Sequence, residues 1–440
     1  MNLIYGTKDK PKFAQLLIFA FQQVLAILAA TIAVPAIVGN GMSASAALFG
    51  AGVGTIVYQL FTKFRSPVFL GSSFAFIGSM VAAFAGAVSA SAGYAGLIIG
   101  AVFAGLVYVV IAAVVKVAGV KWINKLMPPV VIGPTVALIG LSLAGAAIKD
   151  VFSYGPQDAN GSFIMAGTAW PSLICALVTL FVVVLVSTYG KKMSKLIPFI
   201  IGILAGYVVA AIFTLCGIPI IDFSIFEGVK VFAIPEFTFI EALKGVKDID
   251  GAYIATVAVA FVPVAFVVFA EHIADHKNLS TIIGSDLLEE PGLHRTLLGD
   301  GVGSIVGAFF GGCPNTTYGE SVGCVAITRN ASVATITTTA ILCMLISFFD
   351  PCVTVLASIP NCVMGGVCIT LYGFIAVSGL KMIQKVDLGQ NKNLFVTASI
   401  LIPGIGGMAM AIGPVTLTSI ACALILGIIT NTLLNKAKDE

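Results

Sequence analysis

Three acidic side chains stand where so apolar a chain should carry none. Glu271 closes the run FVPVAFVVFAEH, and Asp275 follows one helical turn later on the same face. Glu320 lies in PNTTYGESVG, just before another apolar stretch. A carboxyl at the centre of a membrane helix costs about 2.5–3.5 kcal/mol on insertion scales, so acids there mark functional sites by default. Asp275 also has a plainer reading, in which it joins His272, His276 and Lys277 to mark the aqueous mouth of its span. That reading loses force at Glu271 and more at Glu320, where Pro-Asn-Thr-Thr opens backbone groups that lipid cannot satisfy. Unwound backbone is tolerated at membrane depth only inside protein or around a wet cavity.

Two buried carboxyls beside exposed backbone amides define a ligand chemistry. An ionised Glu accepts N–H bonds, and a protonated one can also donate to a carbonyl. The matching ligand is small and polar, with adjacent N–H and C=O groups. An anion fits poorly, because no Lys or Arg stands mid-span to neutralise it. Phe74 interrupts its own span within GSSFAF and offers a stacking face to a planar ring, although most of the 30 Phe serve packing or face lipid. A planar heterocyclic amide moved with protons is a coherent ligand; spacing alone does not select it over an amino acid.

The elements that must hold these groups follow from composition. Of 440 residues 59% are hydrophobic and 10% charged, with 47 Gly and a mean hydropathy of +1.08. A soluble domain carries about 25% charged residues, so a soluble enzyme, a nucleic-acid binder and a disordered scaffold are excluded. The net charge of +3 is too small to imply an anionic partner. The nine Cys show no CxxC pair and no Cys/His metal spacing, and read as small buried hydrophobes. MNLIYGTKDKPKF is too polar for a signal peptide, so the first apolar run is expected to be a retained span. At roughly 20 residues per span, about fourteen spans fit. They fall near 13–37, 44–62, 67–88, 95–117, 129–147, 171–189, 194–217, 252–275, 296–312, 315–329, 332–349, 361–380, 393–411 and 415–434.

With the N-terminus in the cytoplasm, alternation places all but Lys149, Lys230, Lys244 and Lys247 of the 23 Lys and Arg on the inner side. Among the inner ones are Lys121, Lys125, Lys192, Lys195, Lys436 and Lys438, and both termini come out cytoplasmic. Two halves of about seven spans are comparable. LMPPVVIGPTVALIG opens the fifth span and SIPNCVMGGVCITLYG the twelfth, with Pro128 five before Gly133 and Pro360 five before Gly365. PVFLGSSFAF opens the third and GCPNTTYGES the tenth, each small and polar where a span should be greasy. An odd number of spans per copy inverts the second copy. Inverted repeats with broken paired helices are a transporter pattern, with the site at midplane.

AEHIADH at 270–276, EEPGLHRTLLGDG at 289–301 and GGCPNTTYGESVGCVAITR at 311–329 resemble the uracil permease branch of the nucleobase–ascorbate transporter (nucleobase:cation symporter-2) family. VFLGSSFAFIGSM at 68–80 and IPNCVMGGVCITLYG at 359–373 match it too, in the same order along nearly the whole chain. Relatives handling xanthine or urate carry a QNxG-type sequence where this chain has Pro314-Asn315.

The resemblance implies an all-α polytopic membrane protein of about fourteen segments in two inverted repeats of seven, with short β-strands in broken segments 3 and 10. It implies a core (1–125 and 251–358) that moves against a gate (126–250 and 359–440). It implies uracil import by proton symport across the plasma membrane, no cofactor, and often a homodimer through gate surfaces. By motif match, Glu271 and Glu320 would hydrogen-bond the uracil ring, with main-chain contacts from Gly319 and Phe74. The Phe74 ring would pack on the base, and Tyr372 would face the site from the gate. Proton coupling would fall to Glu271, Asp275 and Glu320. Two positions depart from the pattern: Asp275 stands where some uracil permeases have His, and Gln22-Gln23 where some relatives read Gln-His.

The alternative is a xanthine or purine symporter of the same family. A sulfate-type anion transporter would want a basic residue at the break in the tenth span, where Glu320 stands instead. A channel would need a continuous pore. No G-x-x-x-x-G-K-[ST], H-E-x-x-H or G-x-S-x-G motif points to an enzyme.

Overall fold

Apolar runs become helices, and polar interruptions become strands and turns. The computed structural model describes residues 3–119, 128–191, 194, 197–412 and 415–434. Lys121, Lys125, Lys192, Lys195, Lys436 and Lys438 lie outside the described residues. In chain order the first elements are α1 (Phe13–Val38), α2 (Ala44–Phe61), β1 (Leu70–Ser72), α3 (Ile77–Ala85) and α4 (Ala90–Ala118). Next come α5 (Pro129–Ser142), α6 (Ala144–Val151), α7 (Ala169–Tyr189), α8 (Pro198–Leu215), α9 (Thr238–Gly245) and α10 (Gly251–Ile283). Then follow α11 (Leu293–Gly311), β2 (Asn315–Thr317), α12 (Gly319–Thr328), α13 (Val333–Ile346), α14 (Asp350–Ala357) and α15 (Asn361–Ile383). The chain continues with α16 (Asn391–Ile405), β3 (Met410–Ile412), β4 (Val415–Leu417) and α17 (Ser419–Leu433).

Eight helices among the described residues are long and apolar enough to cross a membrane, α5 and α6 counting as one, and α13 and α17 are shorter apolar helices. The architecture is an all-α polytopic membrane bundle. Polar caps start the helices: the side chains of Ser43, Ser89, Asp250 and Thr418 accept from the amides of Ala46, Ala92, Tyr253 and Ala421. Gly284 and Gly312 end α10 and α11 in the left-handed conformation.

Several boundaries differ from expectation. α10 runs on past residue 275 to Ile283, because HKNLSTII contains no Gly or Pro and the first breaker is Gly284. The stretch from 315 is only a three-residue strand and the ten-residue α12. At 1.5 Å per residue α12 covers about 15 Å, half of a roughly 30 Å hydrocarbon core. α3 is similarly short, with nine residues. The last span begins as β4, which pairs with β3 in a hairpin that apolar periodicity did not suggest.

The chain divides into two compact units. One comprises Met1–Ile139, Pro235–Leu345 and Ile375–Glu440; the other comprises Gly140–Ile234 and Ile346–Phe374. In the first, α2 and α11 meet backbone to backbone. A Cβ at Gly50 would stand 2.6 Å from the carbonyl oxygen of Gly307, and one at Gly54 would stand 2.8 Å from that of Gly303. Small residues at four-residue spacing let membrane helices approach this closely. In the second unit, α7 and α8 close over Gly202 and Gly206, and Tyr207 shares a 2.8 Å hydrogen bond with Ser358.

Candidate functional site

The two broken segments meet each other. β1 and β2 pair antiparallel, with Leu70 opposite Thr317, Gly71 opposite Thr316 and Ser72 opposite Asn315. Main-chain bonds extend the ladder: Ser73 N donates to Pro314 O at 3.0 Å, and Tyr318 N to Phe69 O at 3.2 Å. The pair thus satisfies its backbone inside the protein, as irregular chain at membrane depth must. Thr55 pins Leu70 twice, accepting from its N–H at 2.9 Å and donating to its carbonyl at 3.1 Å. Asn315 anchors the other strand by donating to Gly50 O at 3.0 Å.

From these strands the two half-helices start. After β2, α12 begins at Gly319 and carries Glu320 in its first turn; Tyr318 ahead of it provides no side-chain cap. After β1, a tight turn over Phe74–Phe76 leads into α3. The first amides of a helix lack intrahelical partners and carry partial positive charge, so both starts favour acceptor groups of a ligand. A cavity of about 70 Å³ lies between them, small for a ligand site. Ser73, Phe74, Glu271, Thr317, Gly319 and Glu320 supply its polar wall and ring face, and Val136, Ile139 and Ile375 its apolar side. All of these belong to the first compact unit. Among the described residues, no Lys or Arg lines the cavity.

Four of the expected residues, Phe74, Glu271, Gly319 and Glu320, therefore share one cavity. Asp275 does not line it; its carboxylate accepts a 2.8 Å bond from Thr317 Oγ1, one turn along α10 from Glu271. Glu271, Asp275, Glu320 and the deeper Asp300 interact electrostatically. Such a group of acids can exchange a proton when its surroundings change. Tyr372 lies in the second unit, buried on α15.

Other site residues carried no distinctive sequence signal. Tyr318 donates to Ser72 O at 2.7 Å and braces one strand against the other. Its ring covers Gly71 so closely that a Cβ there would stand 2.4 Å away. Gln23, noted above only as a departure from Gln-His, donates from α1 to the hydroxyl and, at 3.3 Å, to the carbonyl of Ser321, next to Glu320. Gly71 and Tyr318 both fall in the quoted motifs, but their pairing is visible only once the strands are paired.

The family model described as Permease family (Xan_ur_permease) matches residues 14–413. The chain is 38% identical over 439 residues to the uracil permease of Bacillus subtilis (strain 168), covering 99% of this chain and 96% of that protein. It is 38% identical over 434 residues to the uracil permease of Bacillus caldolyticus, covering 98% and 94%. Among solved structures, it is similar to the transmembrane domain of the cyanobacterial bicarbonate transporter BicA, at a TM-score of 0.66 and 16% identity over 97% of this chain and 99% of that one. At that identity the likeness is one of fold alone.

Proposed function

Because the chain belongs to the Permease family, whose model matches residues 14–413, we propose that it imports uracil together with a proton. Family membership makes it a secondary transporter rather than an enzyme. The observation that carries the substrate is the placing of Glu271 and Glu320 in one small cavity with the starts of two half-helices. Uracil presents ring N–H groups to the carboxylates and carbonyls to main-chain N–H groups at Gly319 and near Phe74, while the Phe74 ring packs on its face. A bicarbonate-like anion is disfavoured by the same wall, which offers two acids and, among the described residues, no cation. Two relatives that match along nearly the whole chain, at 38% identity, are named uracil permeases.

In this reading the proton is shared among Glu271, Asp275 and Glu320, and its inward flow drives accumulation. One charge crossing about 100 mV is worth about 2.3 kcal/mol, which is roughly 50-fold at about 1.4 kcal/mol per decade. The chain sits in the plasma membrane with both termini cytoplasmic, as about fourteen segments in two inverted repeats. The core (1–125, 251–358) carries the site past the gate (126–250, 359–440), with Tyr372 contributed by the gate and gate surfaces forming a homodimer.

Asp275 favours one second reading, since purine-type relatives carry Asp at that place and here it holds Thr317. Competition separates the two. Labelled uracil bound to purified protein is displaced by unlabelled uracil at far lower concentration than by xanthine if the uracil reading holds. Displacement by xanthine at equal or lower concentration assigns the chain to purines.

A further inference from the structure

The polar residues ahead of α1 are bonded down onto the bundle as a strap. Ile4 N and Tyr5 N donate to Arg329 O at 2.8 and 3.3 Å, and Ala331 N and Val333 N donate back to Tyr5 O and Thr7 O at 2.9 and 3.1 Å. Ser332 Oγ donates to Asp9 O at 2.5 Å, and the Asp9 carboxylate takes the Gly6 N–H at 2.7 Å. The strap therefore fixes the backbone of Lys8 and Lys10 beside the start of α13. Among the described residues neither ammonium has an ion-pair partner.

Between strap and helices lies a groove of about 520 Å³, which is ligand-sized and shares no residue with the cavity at Glu271. Lys8 and Lys10 outweigh Asp9 on its charged side, and Phe64, Val333 and Ala334 form its apolar side. Thr337 and Thr338 also line it, but their hydroxyls donate to Gln59 Oε1 and Ala334 O. The donors left for a ligand are the two ammoniums and main-chain N–H groups in the first turn of α13, where a helix start favours an anion.

An apolar face runs on from this charged end. α2 ends and α13 starts at the same side of the bundle: Thr337 reaches Gln59 at 2.6 Å, and a Cβ at Gly52 would stand 2.5 Å from Ala340 O. Ala334, Thr338, Ile341 and Leu345 share one face of α13. Ile341 and Leu345 are exposed, as is Leu60 on α2. Cations held at one end of an exposed apolar stripe match a molecule with an anionic head and hydrocarbon tails, and basic pockets between membrane helices bind anionic headgroups. A free phosphate would satisfy the charged end alone.

We propose that this groove binds an anionic phospholipid, its phosphate held by Lys8 and Lys10 at the start of α13 and an acyl chain lying on Leu60, Ile341 and Leu345. The lipid then fastens the strap to the segment that follows α12, the half-helix carrying Glu320. This requires only a membrane-embedded chain, so it stands or falls apart from uracil and proton coupling.

The purified full chain in detergent is titrated with dioctanoyl phosphatidylglycerol, with dioctanoyl phosphatidylcholine and with inorganic phosphate. Unfolding temperature and lipid retained in native mass spectrometry are read for each. Phosphatidylglycerol is expected to raise the unfolding temperature saturably, with one molecule retained. Lys8→Gln with Lys10→Gln weakens its affinity about 30-fold. Removing the same charge at two exposed lysines elsewhere, Lys230→Gln with Lys247→Gln, leaves the affinity unchanged. An equal response to phosphatidylcholine or to inorganic phosphate overturns the proposal, as does equal affinity in the two double variants. Should the Lys8 and Lys10 variant fail to fold, Thr338→Trp decides, because it fills the groove and keeps both lysines. It is expected to abolish retention of phosphatidylglycerol, and undiminished retention overturns the proposal as well.

Discussion

At the scale of single residues, function turns on which atoms a ligand can reach and which only hold others in place. Glu271 and Glu320 both face the cavity, but they are expected to fail differently. Glu271→Ala removes a charged hydrogen-bond acceptor of the ligand, worth about 1.5–3 kcal/mol, so uracil affinity measured by equilibrium binding drops roughly 10- to 100-fold. Glu320→Gln keeps the shape and loses the titrating group, so uracil exchange persists while pH-driven accumulation disappears. Full accumulation by Glu320→Gln would refute its coupling role. Tyr318 lines the cavity and braces the strands through Ser72 O. Tyr318→Phe leaves the Ser72 carbonyl without its 2.7 Å donor, at a cost of about 1–3 kcal/mol in stability, read as a lower unfolding temperature in detergent. The carboxyls were legible in the sequence because acids are costly in apolar runs. The roles of Tyr318 and Gln23 were not, because each is defined by a partner distant in the chain, Ser72 for Tyr318 and Ser321 for Gln23.

At the scale of elements, the site exists because two spans fail to be spans. β1 and β2 consume the residues that would have completed a crossing, and α3 and α12 begin where the strands stop. Such breaks are readable as polar interruptions in GSSFAF and PNTTYGES, whereas the register that joins them is not, since residues 70–72 and 315–317 are far apart in sequence. Long helices such as α1, α2 and α7 lie close to their expected limits, because uninterrupted apolar runs leave the chain no other way to satisfy its backbone in lipid. The overrun of α10 to Ile283 and the β3–β4 hairpin escaped hydropathy, which reports where lipid lies and not where hydrogen bonding ends. The close contact of α2 with α11 supports the site from behind, since Asn315 bonds to Gly50 in that seam. Gly54→Val places branched carbon against Gly303 O, where even a Cβ would be 2.8 Å away. We expect a loss of about 1–3 kcal/mol, seen in thermal unfolding, and weaker uracil binding from displacement of β2. Unchanged stability and affinity would show that the seam has slack.

At the scale of the whole molecule, the chain is a multi-pass membrane protein of the Permease family, and its fold is shared with a bicarbonate transporter. A fold common to permeases of different substrates does not choose the cargo; the wall of the cavity does. Two acids at the half-helix starts, with no cation among the described residues there, suit a neutral heterocycle accompanied by a proton, and basic residues would suit an anion. The most direct measurement is labelled-uracil uptake into sodium-free vesicles reconstituted with the protein, with an inward proton gradient imposed and then abolished by an ionophore. We predict accumulation above the external concentration that collapses when the gradient does. Uptake that only equilibrates, or that is indifferent to the gradient, would contradict a shared site for uracil and a proton.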